Sequence, residues 1–230
     1  MMNKNIRNVS SLRNVHTNTL RDAMKNVCKD CRVEVVTANT YNENKILKIA
    51  LCDRNLIGED LEFLTYGSIE FNDVNETYAI VIKNKDNTAV ASCVITSDIA
   101  ANKLPHEVKT IMHKNGFTIT HLRQSCIEIA LLCSHPKHRI KHAVKTMMDS
   151  LIKKTTRCII LFIAKHQENP TAMNFYQSIG FQQIGNTNCM VKLPTNIDAP
   201  NVHPTAHVLR NIFEPLLKRR NNGNVIKNSN

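Results

Sequence analysis

Asn169-Pro-Thr-Ala-Met-Asn-Phe-Tyr-Gln-Ser-Ile-Gly180-Phe181 is the stretch whose reading decides the fold of this chain. It spells one short helix with both ends marked. Asn169 suits the N-cap, where its side-chain oxygen accepts from an orphan first-turn amide. Pro170 follows at the first helical position, where a missing N–H costs nothing. Gly180 suits the left-handed position just past the last turn. Between them Ala172, Phe175, Tyr176 and Ile179 fall on one apolar face. The strand-like run Cys158–Ala164 precedes this helix and Phe181–Ile184 follows it, giving a strand, a capped helix and a strand.

Working backwards, Cys126-Ile-Glu-Ile-Ala-Leu-Leu-Cys133 reads as a central strand with a single carboxylate, Glu128. The loop Ser134-His-Pro-Lys-His-Arg139 leads into a long helix, in which Ile140, Val144, Met147, Met148, Leu151 and Ile152 recur at helical spacing and Lys141, Lys145 and Lys153 face out. Pro105 starts a helix through His113, with Val108, Ile111 and Met112 as its apolar side and Gly116 at its end. Thr77–Lys83 and Thr88–Ser97 form the clearest hairpin, joined by Asn84-Lys-Asp-Asn87. Earlier, Arg32–Ala38 and Lys45–Cys52 are strand-like and could pair, Gly58–Gly67 reads as a short helix or turn, and Leu20, Met24 and Val27 mark a helix over 17–28. Working forwards, Asn188–Leu193 is a final strand. A hairpin-rich first half followed by strand–helix–strand–helix–strand indicates a mixed α/β sheet with a right-handed crossover in its last part. The expected organisation is a flexible N-terminus over 1–16, a main domain over 17–193, a linker over 194–204, an amphipathic helix over 205–220 and a disordered tail over 221–230. Val208, Leu209, Ile212, Phe213, Leu216 and Leu217 give that last helix its stripe, and Lys218-Arg-Arg220 ends it.

Composition narrows the partners. Among 230 residues, 30 Lys and Arg against 19 Asp and Glu give a formal charge of +11, which favours an anionic partner, nucleic acid or an acidic protein, and disfavours a strongly cationic substrate. The longest apolar run falls far short of the roughly 20 residues that a membrane span needs, and no apolar segment of a secretory signal is present at the N-terminus. Eight scattered cysteines, with Cys93, Cys126, Cys133 and Cys158 in apolar runs, read as reduced core thiols of a cytoplasmic or nuclear protein. Cys28-x-x-Cys31 is half of a zinc pattern without its second half, and His135, His138 and His142 lack a fourth ligand, so no metal site is expected.

With these elements placed, the chain resembles the GNAT superfamily, which transfers acyl groups from acyl-CoA to amines. Asn169, Ala172, Phe175-Tyr176 and Gly180-Phe181 match that family's closing signature at its spacing. The strand Glu128–Cys133 followed by Ser134-His-Pro-Lys-His-Arg139 matches its layout at the acyl-CoA pyrophosphate site. The resemblance covers residues 126–185 and implies a mixed, mostly antiparallel central sheet flanked by helices, with helical additions at both termini. It also implies N-acyltransfer, most simply of acetyl from acetyl-CoA, to an amine on a small molecule or a protein, and it leaves a homodimer open. By resemblance the cofactor lies in a V-shaped opening between the Glu128 strand and the Ile159–Ala164 strand. The backbone at Cys133 and Ser134 would polarise the thioester carbonyl, Tyr176 would protonate the CoA sulfur, Glu128 would act as base, and Asn169 would contact the pantetheine arm. Arg139, Lys141, His142, Ala143 and Val144 occupy the pyrophosphate loop.

That loop departs from the pattern. The family reads Arg/Gln-x-x-Gly-x-Gly/Ala because backbone amides must come close to phosphate; this chain has His142 and Val144 where the small residues stand. Either cofactor binding is weakened, or it uses a rearranged loop, or it is lost. The plain readings stay open beside the functional ones: Asn169 as an N-cap competing with its cofactor role, Tyr176 as core packing, Glu128 on a solvent-facing side of the sheet. The competing reading of the whole is a catalytically inactive GNAT-fold module that binds protein or nucleic acid.

Overall fold

The computed structural model describes residues 18–37, 77–134, 140–163, 169–194 and 209–217. The expectations for 1–16, Lys45–Cys52, Gly58–Gly67, the linker over 194–204 and the tail over 221–230 lie wholly or almost wholly outside them. The described elements run α1 (18–25), β1 (Arg32–Thr37), β2 (Thr77–Lys83), β3 (Ala89–Thr96), a 3-10 turn (Ala101–Lys103), α2 (His106–Lys114), α3 (Ile119–Ser125), β4 (Cys126–Ser134), α4 (Ala143–Lys154), β5 (Cys158–Phe162), α5 (Pro170–Ser178), β6 (Gln182–Gln183), β7 (Cys189–Lys192) and α6 (209–217). The strands form one mixed, mostly antiparallel sheet in the order β1-β2-β3-β4-β5-β7-β6, the kind of central sheet that the resemblance implies. The chain divides into two compact units, the described parts of Met1–Asp98 with Ile129–Thr155, and of Ile99–Glu128 with Thr156–Asn230.

In the first unit β1, β2 and β3 are consecutive antiparallel neighbours. Every residue of β2 is buried, which is why Tyr78-Ala-Ile-Val-Ile82 reads as a continuous apolar run rather than an alternating one. The β2–β3 hairpin closes as expected. Asn84 Oδ1 accepts from the N–H groups of Asp86 (3.0 Å) and Thr88 (2.9 Å), and Asn87 takes the left-handed conformation at φ 65° that such a turn requires. In α4 the residues Ala143, Met147, Met148, Ser150 and Leu151 are buried along one face, and the helix packs on β3. Ile140, expected inside this helix, precedes it. The left-handed His142 ends the i→i−4 ladder on that side.

One ion pair in this unit is buried on one side. Lys83, its side chain 3 % exposed, meets the Glu34 carboxylate, which is 30 % exposed and also accepts from Arg32 Nε at 3.1 Å. Removing one member of such a pair leaves the other charge desolvated and unmatched. Glu34→Gln is therefore expected to lower the unfolding free energy by about 2–3 kcal/mol, read from urea titration. A loss under about 0.5 kcal/mol, the size of an exposed pair's contribution, would contradict the burial of Lys83.

The second unit has its own core. The residues Ile99, Leu104, Val108, Met112 and Leu122 of the segment between β3 and β4 pack with Cys126, Cys158, Ile160, Cys189 and Val191 of the strands and with Ile184 just past β6. Leu209, Ile212, Phe213 and Leu216 of α6 complete the cluster. The amphipathic stripe read near the C-terminus thus docks on its own chain, and Val208 lies outside the described residues. Helix α2 ends in a Schellman motif: the N–H of Phe117 reaches Met112 O (2.8 Å) and that of Gly116, at φ 69°, reaches His113 O (3.1 Å). Strand β7 lies antiparallel to both β5 and β6, so β5 and β6 run parallel, joined through α5 with β7 slotted between them.

Candidate functional site

The first unit carries the end of β4 and the start of α4. Cys133 and Ser134 are the last residues of β4, both half-buried. Cys133 Sγ lies 2.8 Å from Ser92 Oγ of β3. Burial pushes the Cys133 thiol up, and the hydrogen bond from Ser92 offsets only part of that rise. The thiol therefore stays protonated at neutral pH, and what Cys133 can offer a reacting carbonyl is its backbone. Arg139 lies outside the described residues. The Ile140 carbonyl accepts from the N–H of Ala143 at 3.1 Å, and His142 is the N-cap of α4 at φ 69°. Lys141 and His142 are exposed, Ala143 is buried and Val144 is half-buried.

The left-handed conformation that glycine adopts without cost is taken here by His142, at roughly 1–2 kcal/mol for a residue with a Cβ. The His142 side chain makes no capping bond, and the first turn of α4 contains no acidic residue. The first-turn amides beyond Ala143, those of Val144 and Lys145, have no i−4 carbonyl to meet. The positive end of the helix dipole is thus neutralised by nothing on its own turn. Lys145 pairs with Asp149 at 2.5 Å, with both side chains about half exposed, so its charge is only loosely committed. His142→Gly is expected to raise the unfolding free energy by about 0.5–1 kcal/mol, because relief of the left-handed strain exceeds the entropy that glycine adds to the unfolded chain. A destabilised variant in thermal melts would mean that the histidine side chain holds the turn.

The second unit carries Glu128, Asn169 and Tyr176. Glu128 is 2 % exposed, so the solvent-facing reading of this carboxylate does not hold. The alternation with Ile127 and Ile129 misled because both sides of β4 are covered here, and all three residues are buried. Lys103 Nζ lies 3.0 Å from Glu128 Oε1 and 5.9 Å from the centroid of the Phe162 ring. This partner, 25 residues away on a 3-10 turn, has no sequence signal: nothing in Ala101-Asn-Lys103 distinguishes that lysine from the many solvated ones. The charge of Glu128 also acts on its surroundings. Burial, and then the nearby carboxylate, push the Cys189 thiol up to about 12.

Asn169 caps α5 as its type predicts, its Oδ1 accepting from the N–H of Ala172 at 3.1 Å, with Pro170 next in line. The cap uses the oxygen alone, so the competition between capping and cofactor contact resolves chemically: Nδ2 keeps its donor character. The other end of α5 is a second Schellman motif. The N–H of Phe181 reaches Tyr176 O (3.0 Å), that of Gly180 reaches Gln177 O (2.9 Å), and Gly180 sits at φ 87°. The hydrophobic contact that accompanies such a cap joins the same two residues, Tyr176 and Phe181, whose rings meet edge-on at 5.6 Å. Phe175 adds a second edge contact to Tyr176 at 5.3 Å. The helix itself buries no residue fully; its anchors are Ile179 and Phe181, just past its end. Lys192 Nζ comes so near Gly180 that an added Cβ would lie 2.3 Å from it, which sets a cation by the carbonyl end of a helix with no basic residue in its own last turn.

Among the described residues no group of three or more His, Cys, Asp or Glu is placed to hold a metal ion, and no helix is long and apolar enough to cross a membrane. No protein-family model and no curated protein sequence matches the chain. Solved structures resemble it in shape. AtaTR bound with acetyl-CoA is 13 % identical with a TM-score of 0.46, over 74 % of this chain and 97 % of that one. GCN5 from Tetrahymena is 12 % identical with a TM-score of 0.42, over 74 % and 88 %. The spermidine N-acetyltransferase SpeG from Vibrio cholerae, in a mutant form, is 12 % identical with a TM-score of 0.42, over 74 % and 96 %. These are likenesses of fold alone, and no residue role transfers from them.

Proposed function

We propose that this chain is an acyl-CoA-dependent N-acyltransferase that transfers acetyl from acetyl-CoA to an amine on a small molecule or a protein. The observation that supports this most is the start of α4, left-handed at a residue that is not glycine, without a side-chain cap and without an acid in its first turn. A helix start of ordinary structural purpose gains about 1 kcal/mol from a Ser, Thr, Asp or Asn cap, as α5 does from Asn169. Forgoing that cap while keeping a strained backbone is the arrangement that suits an external anion. The residues that would hold the diphosphate are Lys141, His142, Ala143 and Val144, with Arg139 by resemblance.

When bound, acetyl-CoA supplies an acyl thioester, activated towards nucleophiles. The chain's own part begins with the amides at Cys133 and Ser134, donors for the carbonyl oxygen. Tyr176 Oη is the proton donor to the departing sulfur, its ring steadied by the edges of Phe175 and Phe181. Asn169 Nδ2 donates to the pantetheine arm while Oδ1 keeps the cap. Glu128 receives the amine proton, directly or through water, and Lys103 on Oε1 tunes that role. The setting is the cytoplasm or nucleus, where thiols stay reduced. An excess of positive charge makes a polycationic acceptor a poor match.

The test is release of free CoA thiol from acetyl-CoA by the full chain, measured with a panel of neutral and acidic amines. Amine-dependent thiol release is expected; its absence across the panel would sink the transferase reading. The second reading, a binding module that has lost catalysis, is favoured by two observations. His142 and Val144 add Cβ atoms at the loop, and the only carboxylate of β4 is engaged by Lys103.

A further inference from the structure

We infer that Cys28 and Cys31 are a reversible redox site, a dithiol that a small-molecule disulfide such as oxidised glutathione converts into an internal disulfide across the turn between α1 and β1. The turn Cys28-Lys-Asp-Cys31 is closed by the N–H of Cys31 donating to Cys28 O at 3.3 Å. A closed four-residue turn holds its end Cα atoms within about 7 Å, the range that a disulfide spans without moving the backbone. The two thiols lie close enough to bear on each other's protonation. Both are half-buried, so a small disulfide can reach them, and both are free.

The other described cysteines are placed differently. Cys93, Cys126, Cys158 and Cys189 are at most 1 % exposed inside the two cores, and Cys133 is engaged with Ser92. Selectivity for the Cys28–Cys31 turn thus follows from access. The order of events follows from proton affinity. Burial, and then the neighbouring Cys28, push the Cys31 thiol up to about 12, which disfavours Cys31 as the first nucleophile.

The Cys28 thiolate attacks one sulfur of the external disulfide. The S–S bond breaks, one thiolate leaves and takes up a proton, and Cys28 carries a mixed disulfide. Cys31 then gives its proton to solvent and attacks the Cys28 sulfur, and the second external thiolate leaves and is protonated. Two protein thiols and one disulfide become one internal disulfide and two small thiols. The reverse reaction with excess small thiol restores the dithiol.

Trypsin reads the outcome directly, because Lys25, Lys29 and Arg32 place one cysteine in 26–29 and the other in 30–32. The native full chain is equilibrated with oxidised and reduced glutathione, quenched with an alkylating agent and digested without reduction. The expected product is the 26–29 peptide linked to the 30–32 peptide. Cys31→Ser, which cannot resolve the first step, should accumulate about tenfold more glutathione adduct on Cys28 than the parent chain, reflecting the loss of a nucleophile at high effective concentration. Cys28→Ser should leave Cys31 alkylated. Adducts on both cysteines without the linked pair, or two alkylated peptides throughout, would overturn the proposal; so would equal adduct levels in the parent and Cys31→Ser.

Discussion

Phe213→Ala is expected to lower the unfolding free energy by about 4 kcal/mol, within the roughly 3–5 kcal/mol range for deleting a buried aromatic ring. Phe213 has no exposed surface and lies among residues from every part of the second unit's core: the segment between β3 and β4, the strands, and α6 itself. Removing its ring opens a cavity that the close-packed strands and helices of this core cannot collapse to fill. At about 2–4 °C per kcal/mol for a chain of this size, the melting temperature should fall by roughly 8–16 °C. A fall of under about 2 °C would show that α6 is not docked in solution. Its apolar stripe would then be available to a membrane, a nucleic acid or a second copy.

Tyr176→Phe is expected to reduce kcat by about 100-fold or more, the usual lower bound for loss of a positioned proton donor, while leaving the acetyl-CoA dissociation constant within about twofold. At 100-fold the change corresponds to about 2.7 kcal/mol of transition-state stabilisation. The substitution removes one oxygen and keeps the ring, so the edge contacts with Phe175 and Phe181 and the Schellman closure persist. Turnover equal to that of the parent would remove Tyr176 as the acid and return it to the helix cap, which already accounts for its position.

The stretch from Asn169 to Phe181 was legible because each of its signals is local. An N-cap oxygen, a proline at the first position and a glycine before a phenylalanine act within a few residues, and the structure uses all of them. The same chemistry closes α2 at Gly116-Phe117, where the sequence shows the glycine and leaves the phenylalanine's role unmarked. This explains why the stretch identifies a fold better than an activity: Gly180, Phe181 and much of Tyr176 are spoken for by capping. What sequence could not give depends on distance along the chain. Lys103 meets Glu128 across 25 residues, and Lys83 meets Glu34 across 49; both lysines resemble their solvated neighbours in sequence. Burial of Glu128 stays open in the sequence for the same reason, since an Ile-Glu-Ile alternation says nothing about what covers the second face. At His142 the departure from glycine was legible, while the retention of the left-handed backbone was not, because a residue type does not fix its φ.

Binding of the cofactor's diphosphate at the start of α4 is measured most directly by titrating the full chain with CoA in a calorimeter, paired with thermal melts. Saturable binding is predicted, weakened by added salt as charge-assisted contacts are screened, and CoA at 100 times its Kd should add about 2.7 kcal/mol to stability. Pantetheine, which lacks the phosphates, should bind far more weakly. No heat and no melting shift with millimolar CoA, or equal binding of CoA and pantetheine, would contradict it.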